Sequence, residues 1–175
     1  MNLYRIKRTD PRILKNMSVH YSQPKGFVGR NICYAIADGW DYYGAIVGGS
    51  ATRFLPGRNV NFDLNNIVNN IFFHIEKLNG KYPKRNFAEY CLKKFRERII
   101  VDWEKEYGDK VYLFETLVEL PREGECYRRD GWKEVGVTKG FTCKRVAGVG
   151  TDSWSGKRVW DTENLRPKRV FLREP

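Results

Sequence analysis

Hydrophobic and polar positions change period several times along this chain, and each change marks an element. Residues 3–7 read as a short first strand. Pro11 followed by Ile13, Leu14 and Met17 predicts a helix or turn leading to His20-Tyr21-Ser22, after which Pro24 and Gly26 break the chain. Residues 32–37 and 42–47 are two strands joined by Asp38-Gly39-Trp40-Asp41, whose Asp-Gly step is a hairpin signal. Beyond the Pro56-Gly57 loop, residues 66–75 mix Ile67, Val68, Ile71, Phe72, Phe73 and Ile75 with Asn69 and Asn70, the pattern of a central strand.

The period then becomes helical. Over residues 87–107, Ala88, Cys91, Leu92, Phe95, Ile99 and Trp103 recur three or four apart, while Lys93, Arg96, Glu97 and Glu104 fall elsewhere. Asn86 with Glu89 three residues on predicts a capping box at the start, and Gly108 is the natural stop. Residues 111–118 follow as a nearly continuous apolar run, as in strands buried on both faces. A short helix over 123–130 ends at Gly131, and Trp132 opens a strand through Val135 and Val137. Residues 139–162, rich in Gly and Ser, read as a mobile loop, and 168–172 as a closing strand. The predicted fold is α/β, a mixed sheet with one long crossover helix in a single domain.

Composition adds a partner to this picture. The 175 residues include 41% hydrophobic and 14% aromatic residues, enough to close a core, and no apolar run approaches the roughly 18 residues that span a bilayer. No hydrophobic signal core follows the first methionine, so a cytoplasmic protein is expected. Cys33, Cys91, Cys126 and Cys143 are scattered and read as reduced thiols, and neither His20 nor His74 stands at zinc-ligand spacing from them. The net charge of +11 is concentrated at the chain ends: residues 1–60 hold nine Lys/Arg against three Asp/Glu, residues 61–138 fourteen against fourteen, and residues 139–175 nine against four. A neutral centre with two basic flanks suits a polyanion, with DNA (or RNA) as the expected partner; the bland alternative is solubility alone.

Several residues stand out as chemistry. Glu115, a carboxylate within an apolar strand, is either ion-paired with an arginine or a base whose pKa burial has raised. Asn69 and Asn70 interrupt a core strand and point to opposite faces, so at least one amide orients a substrate or a backbone bulge. His20 can accept a proton near neutral pH, and Tyr127 can donate a proton or a hydrogen bond, or simply pack its ring. Gly80, Lys81, Lys84, Arg85 and Asn86 precede a helix N-terminus, a place that favours a phosphate. Lys139, Lys144, Arg145, Lys157 and Arg158 are interleaved with Phe141, Trp154 and Trp160, the composition that binds single strands or flipped bases.

The order strand, long helix, strand, short helix, strand resembles the Gcn5-related N-acetyltransferase (GNAT) fold. Within it, Glu115-Thr116-Leu117-Val118-Glu119, then Gly124-Glu125-Cys126-Tyr127-Arg128-Arg129-Asp130-Gly131-Trp132, then Val135-Gly136-Val137-Thr138-Lys139-Gly140 look like the Druantia anti-phage DruA-type domain. With Asn69-Asn70, Asp102-Trp103 and Tyr107-Gly108, the likeness covers most of residues 20–140. The bacteriophage Mom proteins, which modify adenine in DNA, are similar more distantly through His20-Tyr21-Ser22 and the tyrosine-containing helix before Trp132. These resemblances imply a phage or bacterial protein acting on DNA. The residues then read as an acyltransferase-like enzyme that transfers an acyl-type group to a nucleobase amine, with His20 or Glu115 removing the amine proton, backbone amides beside Asn70 holding the oxyanion and Tyr127 assisting the leaving group; the alternative is a catalytically silent DNA-binding module. The fold's usual (Arg/Gln)-x-x-Gly-x-(Gly/Ala) pyrophosphate loop is absent, with Gly80-Lys81-Tyr82-Pro83-Lys84-Arg85-Asn86 in its place. Both an acyl-CoA and an aminoacyl-tRNA therefore stay open as acyl donor.

Overall fold

Alternation and turn chemistry build the first half of the sheet. In a computed structural model describing residues 1–146, 157–161 and 163–175, strands β1 (Asn2–Ile6), β2 (Asn31–Asp38), β3 (Asp41–Ser50) and β4 (Ile67–Ile75) form a continuous antiparallel ladder in that order. The β2–β3 turn is closed by Gly39 at φ +57°, a backbone conformation that glycine adopts freely. Helix α1 (Pro11–Val19) starts where Asp10 accepts from the Arg12 amide at 3.0 Å, with Pro11 in its first turn. Its apolar side, Ile13 and Met17, packs with Phe27, Cys33, Ala45, Val47 and Phe72 on one face of the sheet.

The opposite face carries α2 (Phe87–Tyr107), which has the predicted bounds. Phe87, Cys91, Leu92, Phe95, Ile99 and Trp103 pack on Ile32, Tyr34, Ile36, Ile46, Val68 and Phe114. Gly48 allows this close approach, because a Cβ there would collide with Ile99 Cδ1. Gly108, at φ +77°, ends the helix with its amide on Glu104 O at 2.8 Å. The helix start differs from the capping box expected of Asn86 and Glu89. Asn86 is left-handed at φ 55° and makes no side-chain cap, since this backbone is not the extended one from which a cap reaches back; Glu89 turns instead to Arg129, 3.6 Å away.

After the crossover, β5 (Leu113–Glu119) lies parallel to β4, helix α3 (Glu125–Arg129) follows, and β6 (Lys133–Val137) forms the far edge. The final strand, β9 (Lys168–Arg173), inserts antiparallel between β5 and β6, giving the order β1-β2-β3-β4-β5-β9-β6. Arg96 of α2 pairs with Asp130, which also accepts from Trp132 Nε1 at 2.8 Å, so the end of α3 is tied to the long helix. The expected loop over 139–162 is corrected at both ends. There β7 (Thr142–Val146) and β8 (Lys157–Asp161) pair as a separate two-stranded sheet, in register from Thr142↔Asp161 to Val146↔Lys157. Thr142, Val146, Val159 and Trp160 are strong strand formers that outweigh the glycine-rich middle. No helix among the described residues is long and apolar enough to cross a membrane.

Candidate active site

The parallel seam between β4 and β5 closes at one end only. Ile67↔Leu113, Val68↔Phe114 and Asn69↔Glu115 are in register, and beyond them the strands separate. The gap is a cleft of about 680 Å³ between residues 70–73 of β4 and 116–119 of β5, with Tyr127 of α3, the His20-Tyr21-Ser22 segment and Thr52 also on its walls. A bulge in β4 helps open it. Val47 pairs with Phe72 but Gly48 with Asn70, so Ile71 opposes no residue of β3, and a bulge of this kind bends the strand away from its neighbour.

Asn70 holds the bulge in place. Its Nδ2 donates to Val47 O and Phe72 O, both at 3.1 Å, its carbonyl accepts from Thr116 Oγ1 at 2.9 Å, and its Oδ1 accepts from the Tyr127 hydroxyl at 2.7 Å. Tyr127 is thereby fixed in the cleft wall, with its ring stacked on Phe171 (5.9 Å) and edge-on to Trp132 (5.3 Å). Burial pushes its pKa well above that of a free phenol, so it stays protonated, with its proton given to Asn70 Oδ1.

From the α1 face comes His20, 9% exposed, against the Phe72 ring at 4.8 Å. Burial first, and the neighbouring His74 second, lower its pKa to about 4, so the imidazole is neutral at pH 7 and, contrary to the expectation of proton uptake near neutral pH, a weaker base than a free histidine. Its Nδ1 receives the Ser22 amide at 3.3 Å and lies 2.8 Å from the Ser22 hydroxyl, which makes Nδ1 the accepting nitrogen. Ser22 thus joins the site, a residue that sequence reasoning passed over although it stands in the same His-Tyr-Ser run. Tyr21 covers this corner, with the Arg122 guanidinium stacked 3.7 Å from its ring centroid.

Glu115 has the ion-paired of its two expected roles. It is fully buried, with Oε1 on the Thr52 amide at 2.6 Å and Oε2 on Arg58 Nη1 at 2.5 Å, and it does not line the cleft. Burial raises its pKa, against the opposing pull of the Thr52 amide and Arg58. The pair pins the loop that carries Arg53 and the exposed Phe54. Arg58 is 57 residues away in sequence, and the only sign of it was that a carboxylate in an apolar strand needs a cation.

The residues expected to hold the donor stand apart from those lining the cleft. Gly80 and Lys81 belong to a tight turn in which Asn79 and Gly80 have positive φ, the Lys84 ammonium lies over the Tyr90 ring, Arg85 is exposed and Asn86 begins α2. The Glu89–Arg129 pair links that helix start to α3, which borders the cleft. Lys139 is exposed. Lys144, Arg145, Lys157 and Arg158 lie on β7 and β8, where the described residues give the backbone only, and Trp154 lies outside the described residues. Among the described residues no group of His, Cys, Asp or Glu is placed to hold a metal.

No protein-family model matches the chain. No curated protein matches it in sequence. Solved structures do resemble it. An acetyltransferase from Bacillus subtilis in complex with CoA superimposes at TM-score 0.58 and 11% identity, covering 99% of this chain and 98% of that one. A spermidine N-acetyltransferase chimera from Vibrio cholerae and hSSAT gives 0.57 and 10%, covering 99% and 96%. The ribosomal-protein-S5-alanine acetyltransferase of Vibrio fischeri gives 0.53 and 9%, covering 98% and 91%. The chain has the GNAT acetyltransferase fold.

Proposed function

We propose that this protein is an acyltransferase that places an acyl-type group on a nucleobase amine in DNA. The observation that carries this is the fork between β4 and β5, where two strand edges part and Tyr127, Asn70 and the His20–Ser22 pair meet in one cleft. The structures it resembles are acetyltransferases, one of them solved with CoA, which supports an acyl-CoA as donor. An aminoacyl-tRNA donor has only the chain's positive charge in its favour. The residues present fit an acyl-CoA in two respects. The parted strands offer a slot with a proton donor at its wall, and the N-terminus of α2, where Asn86 makes no side-chain cap, stands beside Lys84 and Arg85, the kind of place that holds phosphates.

Such a donor supplies an acyl carbon already activated as a thioester. Ser22 passes the acceptor's proton to His20 Nδ1, Tyr127 protonates the departing sulfur, and Asn70 keeps that hydroxyl in place while its backbone bulge orients the amides of the slot. The +11 charge, the cations of the β7–β8 sheet and the Arg53-Phe54 pair near Thr52 support a nucleic acid as acceptor. A silent DNA-binding module would share that charge but leave the Tyr127–Asn70–His20 grouping without a use. Incubating the protein with acetyl-CoA and DNA oligonucleotides, and following thiol release, tests this. Release that requires DNA and matches adduct formation is expected; no release with either single-stranded or duplex DNA would overturn it.

A further inference from the structure

Two adjacent asparagines sit at the fork, and only one of them is satisfied. Asn70, on the α3 face, has partners at both ends of its carboxamide. Asn69 points to the other face, that of α1 and His20. It is 4% exposed, donates from Nδ2 to Thr52 Oγ1 at 3.0 Å, and its buried Oδ1 has no hydrogen-bond partner among the described residues. Turning the amide over only exchanges which end is left unmatched. Buried polar atoms are normally paired, and both Asn69 and Thr52 line the cleft, so the missing partner is one that a ligand can bring.

We infer that Asn69 and Thr52 form the acceptor subsite, with Asn69 Oδ1 receiving an N–H of the amine to be acylated; this rests on the acyltransferase reading. The charges around the cleft define the class of amine. Glu115 is paired with Arg58, Glu119 with Arg166 at 2.8 Å, and Glu125 lies 3.4 and 3.8 Å from Arg128 and Arg129, which it shares with Glu134 and Glu89. Arg122 and Lys168 also line the cleft and make no ion pair among the described residues. A protonated alkylamine such as spermidine or a lysine side chain would meet those two cations, while each carboxylate lining the cleft among the described residues already faces an arginine. An uncharged amino group on an aromatic ring meets no such penalty and keeps an N–H for Asn69. In the step so oriented, the amine nitrogen bonds to the acyl carbon and the carbon–sulfur bond breaks. The amine proton goes to His20 through Ser22, and the sulfur takes one from Tyr127.

The test compares the parent with Asn69→Leu, and with Asn69→Ala in case the larger side chain disturbs the strand, using an oligonucleotide, spermidine and a lysine peptide as acceptors and acetyl-CoA as donor. Loss of one positioning hydrogen bond predicts a fall of about tenfold or more in kcat/KM for the oligonucleotide. The KM for acetyl-CoA and the melting temperature stay at parental values, a split that a merely structural role would not give. Parental kcat/KM in both variants overturns the role of Asn69 while leaving the acyltransferase standing. Preferential acylation of spermidine or the peptide overturns the neutral-amine subsite. A parent that acylates none of the three overturns the proposed function, and this inference with it.

Discussion

The two ends of the β4–β5 seam use polar residues in opposite ways. At the closed end, Glu115 is fully buried, carries charge, and has both oxygens taken by Thr52 and Arg58. At the open end, Tyr127 and His20 are also buried, yet both are neutral and border empty space. A buried charge needs its partner permanently, so it serves the fold; a buried neutral acid or base keeps a transferable proton, so it can serve chemistry. The strongest carboxylate anomaly in the chain is therefore structural, and the quieter tyrosine and histidine are the candidates for catalysis.

The largest effect is expected at the closed end. Glu115→Gln leaves Arg58 buried without a counter-charge and should cost about 3–5 kcal/mol of stability by urea denaturation. Adding Arg58→Met to Glu115→Gln should return most of that loss, because the unpaired charge is gone. A Glu115→Gln protein as stable as the parent would dissolve the contrast between the two ends.

At the open end the pattern reverses. Tyr127→Phe should lower turnover by about 100-fold. Stability should fall only by about 1–3 kcal/mol, the cost of leaving Asn70 Oδ1 without its donor. Rates and melting curves on one preparation distinguish the two patterns.

His20 sharpens the comparison through pH. Its pKa is lowered from 6.5 to about 4 in the folded chain, so between those values the unfolded chain binds the proton and the folded chain does not. Its contribution to stability is complete above about pH 6.5 and is lost as pH falls toward 4. His20→Gln should flatten melting temperature against pH in that window, leaving the smaller slope of His74, which burial shifts in the same direction. The mildest effect is expected away from the seam. Replacing Lys144, Arg145, Lys157 and Arg158 by alanine should lower the log–log salt slope of DNA binding by about one for each phosphate no longer neutralised, with melting unchanged.

Much of this was legible in the sequence, for identifiable reasons. Residues 87–107 form the helix that their spacing predicts, because an apolar stripe one turn apart leaves few alternatives. The Asp-Gly hairpin and the interrupted strand at Asn69-Asn70 were equally plain, as were the fold class and the residues His20, Asn70 and Tyr127 that the cleft brings together. What the sequence hid depends on tertiary register or on backbone handedness. Arg58 reaches Glu115 only once a loop folds over the sheet, Asn86 turns left-handed and forfeits its cap, and the distinction between Asn69 and Asn70 appears only when Tyr127 and Thr52 take their places. The β7–β8 pairing was masked by the glycine-rich stretch it encloses.

The central claim, that the open end of the seam transfers an acyl group to DNA, is tested most directly by mass spectrometry of nucleosides from DNA in cells expressing the protein. A nucleoside heavier than its parent by one acyl-type group, present with the parent chain and lost with Tyr127→Phe, is the predicted result. Unmodified DNA from cells that hold abundant folded protein would contradict it.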